Sequence, residues 1–174
     1  MNSLALKSDD LQDENLTVHR MTEGASGDGA NQFLTFALND QEFGIEILQV
    51  QEIKNFTRVT PIPNMPECIK GVMNLRGTVV PIIDLRKKLC MLTADYNQFT
   101  VIIVVNVGSK ITGLVVDAVS DVLNVGDEDI EDAPKLAGID TTFIKGLAKS
   151  GERLVTLLDI EVLLSDQLAT VISV

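Results

Sequence analysis

Residues 33–53 read FLTFALNDQEFGIEILQVQEI, and residues 102–122 read IIVVNVGSKITGLVVDAVSDV. At an offset of 69 the two stretches align without a gap, so that Gly44 falls on Gly113, Val50 on Val119 and Glu52 on Asp121. The first copy opens on a β-prone run, Phe33 to Leu38, and breaks at Asn39-Asp40, a pair that favours turns. A second strand follows around Phe43 to Glu46. The segment from Ile47 to Lys54 fits either a strand or a short helical turn, because its apolar period does not decide.

The likeness continues outward at a new offset. Ile69-Lys-Gly-Val72 matches Ile144-Lys-Gly-Leu147, and Asp84-Leu85 matches Asp159-Ile160, both at 75. The change from 69 to 75 places six extra residues in the second copy, within the acidic and Ala/Gly/Pro-containing stretch 126–141. Between the matched blocks, Pro61, Pro63 and Pro66 impose an extended or looped connection. Strands are expected at Val72 to Leu75 and at Thr78 to Ile83, joined at Arg76-Gly77. Asp84 then caps a short helix ending near Leu89. Self-similarity in fixed order implies a duplicated unit, with halves at 32–98 and 99–166. Halves of about 65 residues bury little surface alone, so they are expected to pack on each other or to exchange strands. Short strands joined by hairpins favour closed or nearly closed barrels, which leave few exposed edges. Residues 1–31 read as a flexible acidic tail and residues 167–174 as a C-terminal extension.

The chain has 174 residues, 25 acidic and 14 basic, for a net charge of -11, and 45% of it is apolar. That composition is enough for a core and argues against global disorder. Its longest apolar run, Val101 to Val105, falls far short of the roughly 20 residues a membrane span needs. The N-terminus lacks the pattern of a secretory signal, and a cytoplasmic protein without direct membrane insertion is expected. Net acidity and seven aromatics without a tryptophan oppose nucleic-acid binding, which needs clustered cations and stacking surfaces. The charge is uneven, with -4 over 1–31, -7 over 117–132 and +4 over 70–88. Such blocks serve as solvated faces or steer charged partners. Cys68 and Cys90, without a CxxC spacing, are expected as reduced thiols in the core.

A search for reactive groups returns no catalytic set. His19, the single histidine, falls in the tail, which leaves no triad, Cys-His pair or multi-histidine metal site. Asp84 and Asp159 sit at matching positions ahead of apolar helices, where capping accounts for both. The acidic run at 127–132 lacks the alternating ligands and central glycine of a calcium loop. No metal and no cofactor are therefore expected. What remains is surface recognition. Arg76, in VMNLRG at 72–77, is either a solvated turn cation or an anchor at a protein interface, where arginine is enriched. Val50 and Ile53 are either core residues or contacts.

Several blocks together resemble the chemotaxis coupling (CheW) family: GIEILQVQEI at 44–53, IKGVMNLRG at 69–77, VPIIDLR at 80–86, GLVVDAVSDV at 113–122 and LLDI at 157–160. The resemblance spans about 32–166. It implies a mainly β fold, two packed SH3-like five-stranded β-barrels with short helices. It also implies a non-enzymatic adaptor joining the cytoplasmic signalling tips of chemoreceptors to the regulatory domain of the chemotaxis histidine kinase. Such a protein is recruited to receptor arrays at the inner face of the membrane. On matching positions, Val50 would supply apolar contact to the receptor and Gly71 would allow close approach. Arg76 and Glu52 would form or border an ion pair shaping that face. The second half would carry the kinase contact, without a motif that names its residues. A coupling adaptor of a non-flagellar chemosensory pathway is the alternative within the family. A nucleic-acid-binding small barrel is the alternative outside it.

Overall fold

The structure, a computed structural model, describes residues 31–92, 95–134 and 141–165. The tail and the C-terminal extension expected from the sequence lie outside these residues, except that Asn31 already belongs to the first strand.

Strands β1 (Asn31–Leu38) and β2 (Gln41–Glu46) form a hairpin turning at Asn39-Asp40, with Asn39 in the left-handed region. The undecided segment is both things in turn, a 3-10 turn at Ile47–Gln49 followed by β3 (Val50–Asn55). After the proline-containing connection come β4 (Ile69–Leu75), β5 (Thr78–Asp84) and the single helical turn α1 (Leu85–Lys88). The second copy repeats the order with β6 (Val101–Val107), β7 (Lys110–Val116) and β8 (Ala118–Val125). A 3-10 turn at Asp127–Asp129, β9 (Ile130–Glu131), β10 (Ile144–Ser150), β11 (Arg153–Leu158) and α2 (Ile160–Leu163) complete it. Both expected caps are present. The Asp84 carboxylate accepts from the N–H groups of Arg86 and Lys87, and that of Asp159 from Val162. Each satisfies backbone donors that a helix start leaves unpaired.

Strand pairing does not follow the two halves of the sequence. One sheet runs β8-β1-β2-β11-β10-β9 and the other β3-β6-β7-β5-β4. The hairpin β1–β2 therefore joins strands of the second copy, and the hairpin β6–β7 joins strands of the first. Parallel pairs β2·β11 and β5·β7 stitch the copies within each sheet. The boundary near 98 and 99 is thus not a boundary between sheets: the five-stranded sheet is built from 50–84 and 101–116. The reason lies in the connections. Only Asp117 separates β7 from β8, and only the Ile47–Gln49 turn separates β2 from β3. Tight hairpins need at least two loop residues to reverse, so Asp117 alone cannot fold β8 back on β7; between β2 and β3 the three-residue 3-10 turn redirects the chain instead. The chain bends and runs on into the other sheet. The sixth strand, β9, is two residues long. Its counterpart in the other sheet is the lone Thr60·Val72 bridge.

Three apolar clusters result. Phe33, Leu123, Val125, Ala148, Val155 and Leu157 fill the hollow of the six-stranded sheet. Leu75, Val80, Ile82, Ile102, Val104 and Val115 fill that of the five-stranded one. The largest cluster draws on both sheets and both helical turns, with Leu34, Phe36, Ile45, Ile53, Ile83, Ile103, Leu114 and Leu158 among its members. Central strands such as β1 and β6 are therefore buried on both faces rather than alternating. Cys68 joins the core, as expected of a thiol, but Cys90 does not. It follows α1 with φ +57 and is exposed, because the chain turns outward where the helix stops.

Candidate functional site

Of the expected site residues, Arg76 and Glu52 meet at one end of the five-stranded barrel. Arg76-Gly77 is a two-residue hairpin loop with φ of +51 and +89, the mirror-image turn that matches strand twist. Asn74 Oδ1 accepts from the Gly77 N–H at 2.8 Å and pins the loop. Glycine suits such a conformation and arginine does not, so Arg76 is held at the tip by the strands around it. Its side chain is 64% exposed, and Nη2 lies 2.8 Å from Oε2 of Glu52.

Glu52 is only 4% exposed, and a bulge puts it there. Along β3, Val50 pairs with Val105, whereas Glu52 pairs with Val104, with a register shift between. An extra residue at a bulge turns the following side chains to the other face. Val50 therefore packs half-buried on the inter-sheet core, together with Ile53. Glu52 faces the barrel hollow beside Val104, at its mouth. Lys54, two residues on, approaches the other carboxylate oxygen, Nζ to Oε1 at 3.8 Å. A carboxylate taken from water requires this kind of compensation. The ion pair also links β3 to the hairpin tip that follows β4, and β3 and β4 are the two outer strands of the sheet.

The structure thus brings Arg76 and Glu52 together and leaves Val50 on the other face. Gly71 is engaged within the chain. Its φ is +145, and a Cβ there would lie 2.0 Å from the Thr60 carbonyl oxygen. That close approach permits the paired hydrogen bonds between Thr60 and Val72, both 2.9 Å.

Two polar arrangements were not anticipated. In the other barrel, Arg153 lies between two carboxylates: Nε and Nη2 on Glu42 at 3.1 and 2.8 Å, Nη1 and Nη2 on Asp121 at 3.1 Å each. The buried Thr35 hydroxyl donates to Asp121 Oδ1 at 2.5 Å. Hydrogen bonds from Arg153 hold the Asp121 carboxyl below its usual range, with Thr35 assisting and burial opposing. The repeat relates Glu52 to Asp121 but Arg76 to Gly151, so the offset carried no sign of this cation. The second arrangement surrounds Tyr96, whose hydroxyl donates to Asp84 at 2.5 Å, with Lys70 over the ring at 4.9 Å and Arg86 at 5.6 Å. Burial first, then the bond to Asp84, raises the Tyr96 hydroxyl above its ordinary value. Buried Arg86 in turn meets Asp117 at 3.1 Å. Within the basic block at 70–88, Lys70 and Arg86 are thus engaged with Tyr96 and Asp117, and Arg76 meets Glu52 while staying largely exposed. Among the described residues, no cluster of three or more His, Cys, Asp or Glu could hold a metal ion, and no helix is long and apolar enough to cross a membrane.

The CheW-like domain model matches residues 32–168. The chain belongs to the CheW family. Chemotaxis protein CheW of Klebsiella aerogenes is 50% identical over 137 residues, covering 78% of this chain and 82% of the relative. A probable chemotaxis protein CheW of Rhizobium etli is 41% identical over 139 residues, covering 79% and 90%. The crystal structure of the scaffolding protein TtCheW from Thermoanaerobacter tengcongensis superimposes with a TM-score of 0.73 at 32% identity. The match covers 77% of this chain and 92% of that one. The family match spans the two β sheets described above.

Proposed function

We propose that this chain is a non-enzymatic adaptor that couples chemoreceptor signalling tips to the chemotaxis histidine kinase. It would act in the cytoplasm, recruited to arrays at the inner face of the membrane. The observation that carries this reading is the exposed Arg76 guanidinium, held at a rigid hairpin tip by a buried carboxylate, in a chain of the CheW family. An adaptor needs a rigid surface with an oriented charge and an apolar flank. Arg76 and Glu52 would supply the first; Val50 faces the other side of β3 and is half-buried, and because β3 is an outer strand it would supply apolar contact at the sheet's edge. Gly71 contributes through the fold, by seating the 60–61 segment against β4.

The test is reconstitution of the purified chain with a receptor signalling-tip fragment and the kinase, reading co-purification and then kinase activity with each component omitted. The reading requires binding to both and activity that depends on the chain. Arg76→Glu should weaken tip binding by about tenfold or more, an effect of the size expected for an interface arginine, while the protein keeps its folded circular dichroism. A folded Arg76→Glu protein with unchanged tip affinity removes Arg76 from the site, and a chain that binds neither partner overturns the proposal.

A further inference from the structure

We infer that Lys54 is the reserve counter-ion of Glu52, which lets Arg76 turn from Glu52 to a carboxylate on an acidic partner segment. The partner half of this inference rests on the docking reading given above; the counter-ion half does not.

The two Glu52 oxygens are addressed by different cations, Oε2 by Arg76 at 2.8 Å and Oε1 by Lys54 at 3.8 Å. The cations differ in freedom. Arg76 sits on a hairpin tip with most of its side chain in solvent, whereas the Lys54 side chain is 28% exposed. A buried carboxylate left without a cation is strongly destabilised, so Arg76 alone could not leave Glu52. Lys54 removes that obstacle, because a flexible ammonium needs to move only about an ångström to reach contact distance. Lys54 lies two residues beyond Glu52 and so points to the same side of the strand.

The other barrel shows that this is a local arrangement. There two carboxylates, Glu42 and Asp121, share one arginine, and the position matching Lys54 is the buried Leu123. One acid between two cations leaves the Glu52 mouth with a surplus positive charge, which fits an acidic group on a partner. The reverse count at Arg153 does not.

The experiment is a double-mutant cycle on the full chain without any partner, reading the denaturation midpoint of Arg76→Ala, Lys54→Met and the double variant. Each single change should lower the ratio of folded to unfolded protein by less than about tenfold. The double variant should lose roughly tenfold more than the product of the two, the size of coupling found within shared ionic networks. Adding Glu52→Gln to the double variant should restore that excess, since it removes the stranded charge and keeps the shape. Losses that simply multiply, or an excess that Glu52→Gln does not relieve, overturn the reserve role. In the partner assay, Lys54→Met should weaken binding of the receptor-tip fragment several-fold with Arg76 intact. Unchanged binding in Lys54→Met, beside weakened binding in Arg76→Glu, overturns the release of Arg76 and leaves the docking reading standing. Unchanged binding in both overturns the docking reading instead.

Discussion

The two barrel mouths descend from the same repeated stretch, yet they use opposite charge arithmetic. At one, Glu52 stands beside Val104 and relies on Arg76 and Lys54. At the other, Asp121 has the hydroxyl of Thr35, the residue matching Val104, and shares Arg153 with Glu42. The second arrangement is closed, since guanidinium forks and a hydroxyl take up the carboxylate oxygens. The first is open, with an arginine mostly in water. One duplicated scaffold thus provides a locked end and an end with an available charge, and a handful of side chains accounts for the difference.

The largest test of this comparison concerns the glycines that seat each barrel's short bridging segment. Gly71→Ala meets the Thr60 carbonyl at 2.0 Å in a left-handed conformation, whereas a Cβ on Gly146 would first meet Ile130 Cγ2 at 2.7 Å and the Glu131 carbonyl at 2.8 Å. Strain and overpacking at about 1–3 kcal/mol each add at Gly71, and only overpacking acts at Gly146. Urea denaturation should therefore show Gly71→Ala as the more damaging, by about 1–3 kcal/mol. Equal losses would mean that the two bridges are equivalent after all.

Next in size are the arginines. Arg153→Ala leaves Glu42 and Asp121 facing each other and should cost about 1–2 kcal/mol after allowance for solvent at this partly exposed site. Arg76→Ala, with Lys54 behind it, should cost less than about 1 kcal/mol. The reverse ranking in the same denaturation series would contradict the description of one mouth as locked and the other as open.

Acid acts on the Arg153 mouth through Asp121. The Asp121 carboxyl is lowered in the folded protein, mainly by Arg153, so its stabilising contribution is complete above the unfolded-chain value of about 3.9. It is lost as pH falls through the lower folded value. Asp121→Asn should therefore flatten the decline of thermal stability below about pH 4, and wild-type steepness in that variant would show that the clamp is not what acid dissolves. The smallest effect is expected at Thr112, in the five-stranded barrel, whose hydroxyl is buried without a hydrogen-bond partner among the described residues. Thr112→Val should raise stability by up to about 1 kcal/mol. A loss of that size would indicate a polar partner for the hydroxyl.

Much of this molecule was legible in residue order. The offset of 69 carries β1, β2 and β3 onto β6, β7 and β8, and the offset of 75 carries β4, β5 and α1 onto β10, β11 and α2. Local chemistry marked the two aspartate caps and the Arg76-Gly77 turn, because caps and turns depend on neighbours a few residues away. The pairing of Glu52 with Arg76 came from resemblance to a family, since nothing local links positions 52 and 76. Lys54 had a faint signal in its two-residue spacing from Glu52. Arg153 had none, being offset from the position that the repeat assigns to Arg76.

Residue order alone carries the duplicated succession of strands, the residue types able to make hairpin tips and helix starts, and membership in a family of β scaffolds. The exchange of hairpins between the copies, the bulge that parts Val50 from Glu52 and the close approach of the chain's own 60–61 segment to Gly71 emerge only in the folded molecule. The physical reason is range. Propensity, period and capping act over a few bonds and survive in any context. Strand partners, the side a residue faces after a bulge and the counter-ion a buried acid finds depend on segments brought together from across the chain, and the spacing of letters carries no distance between them.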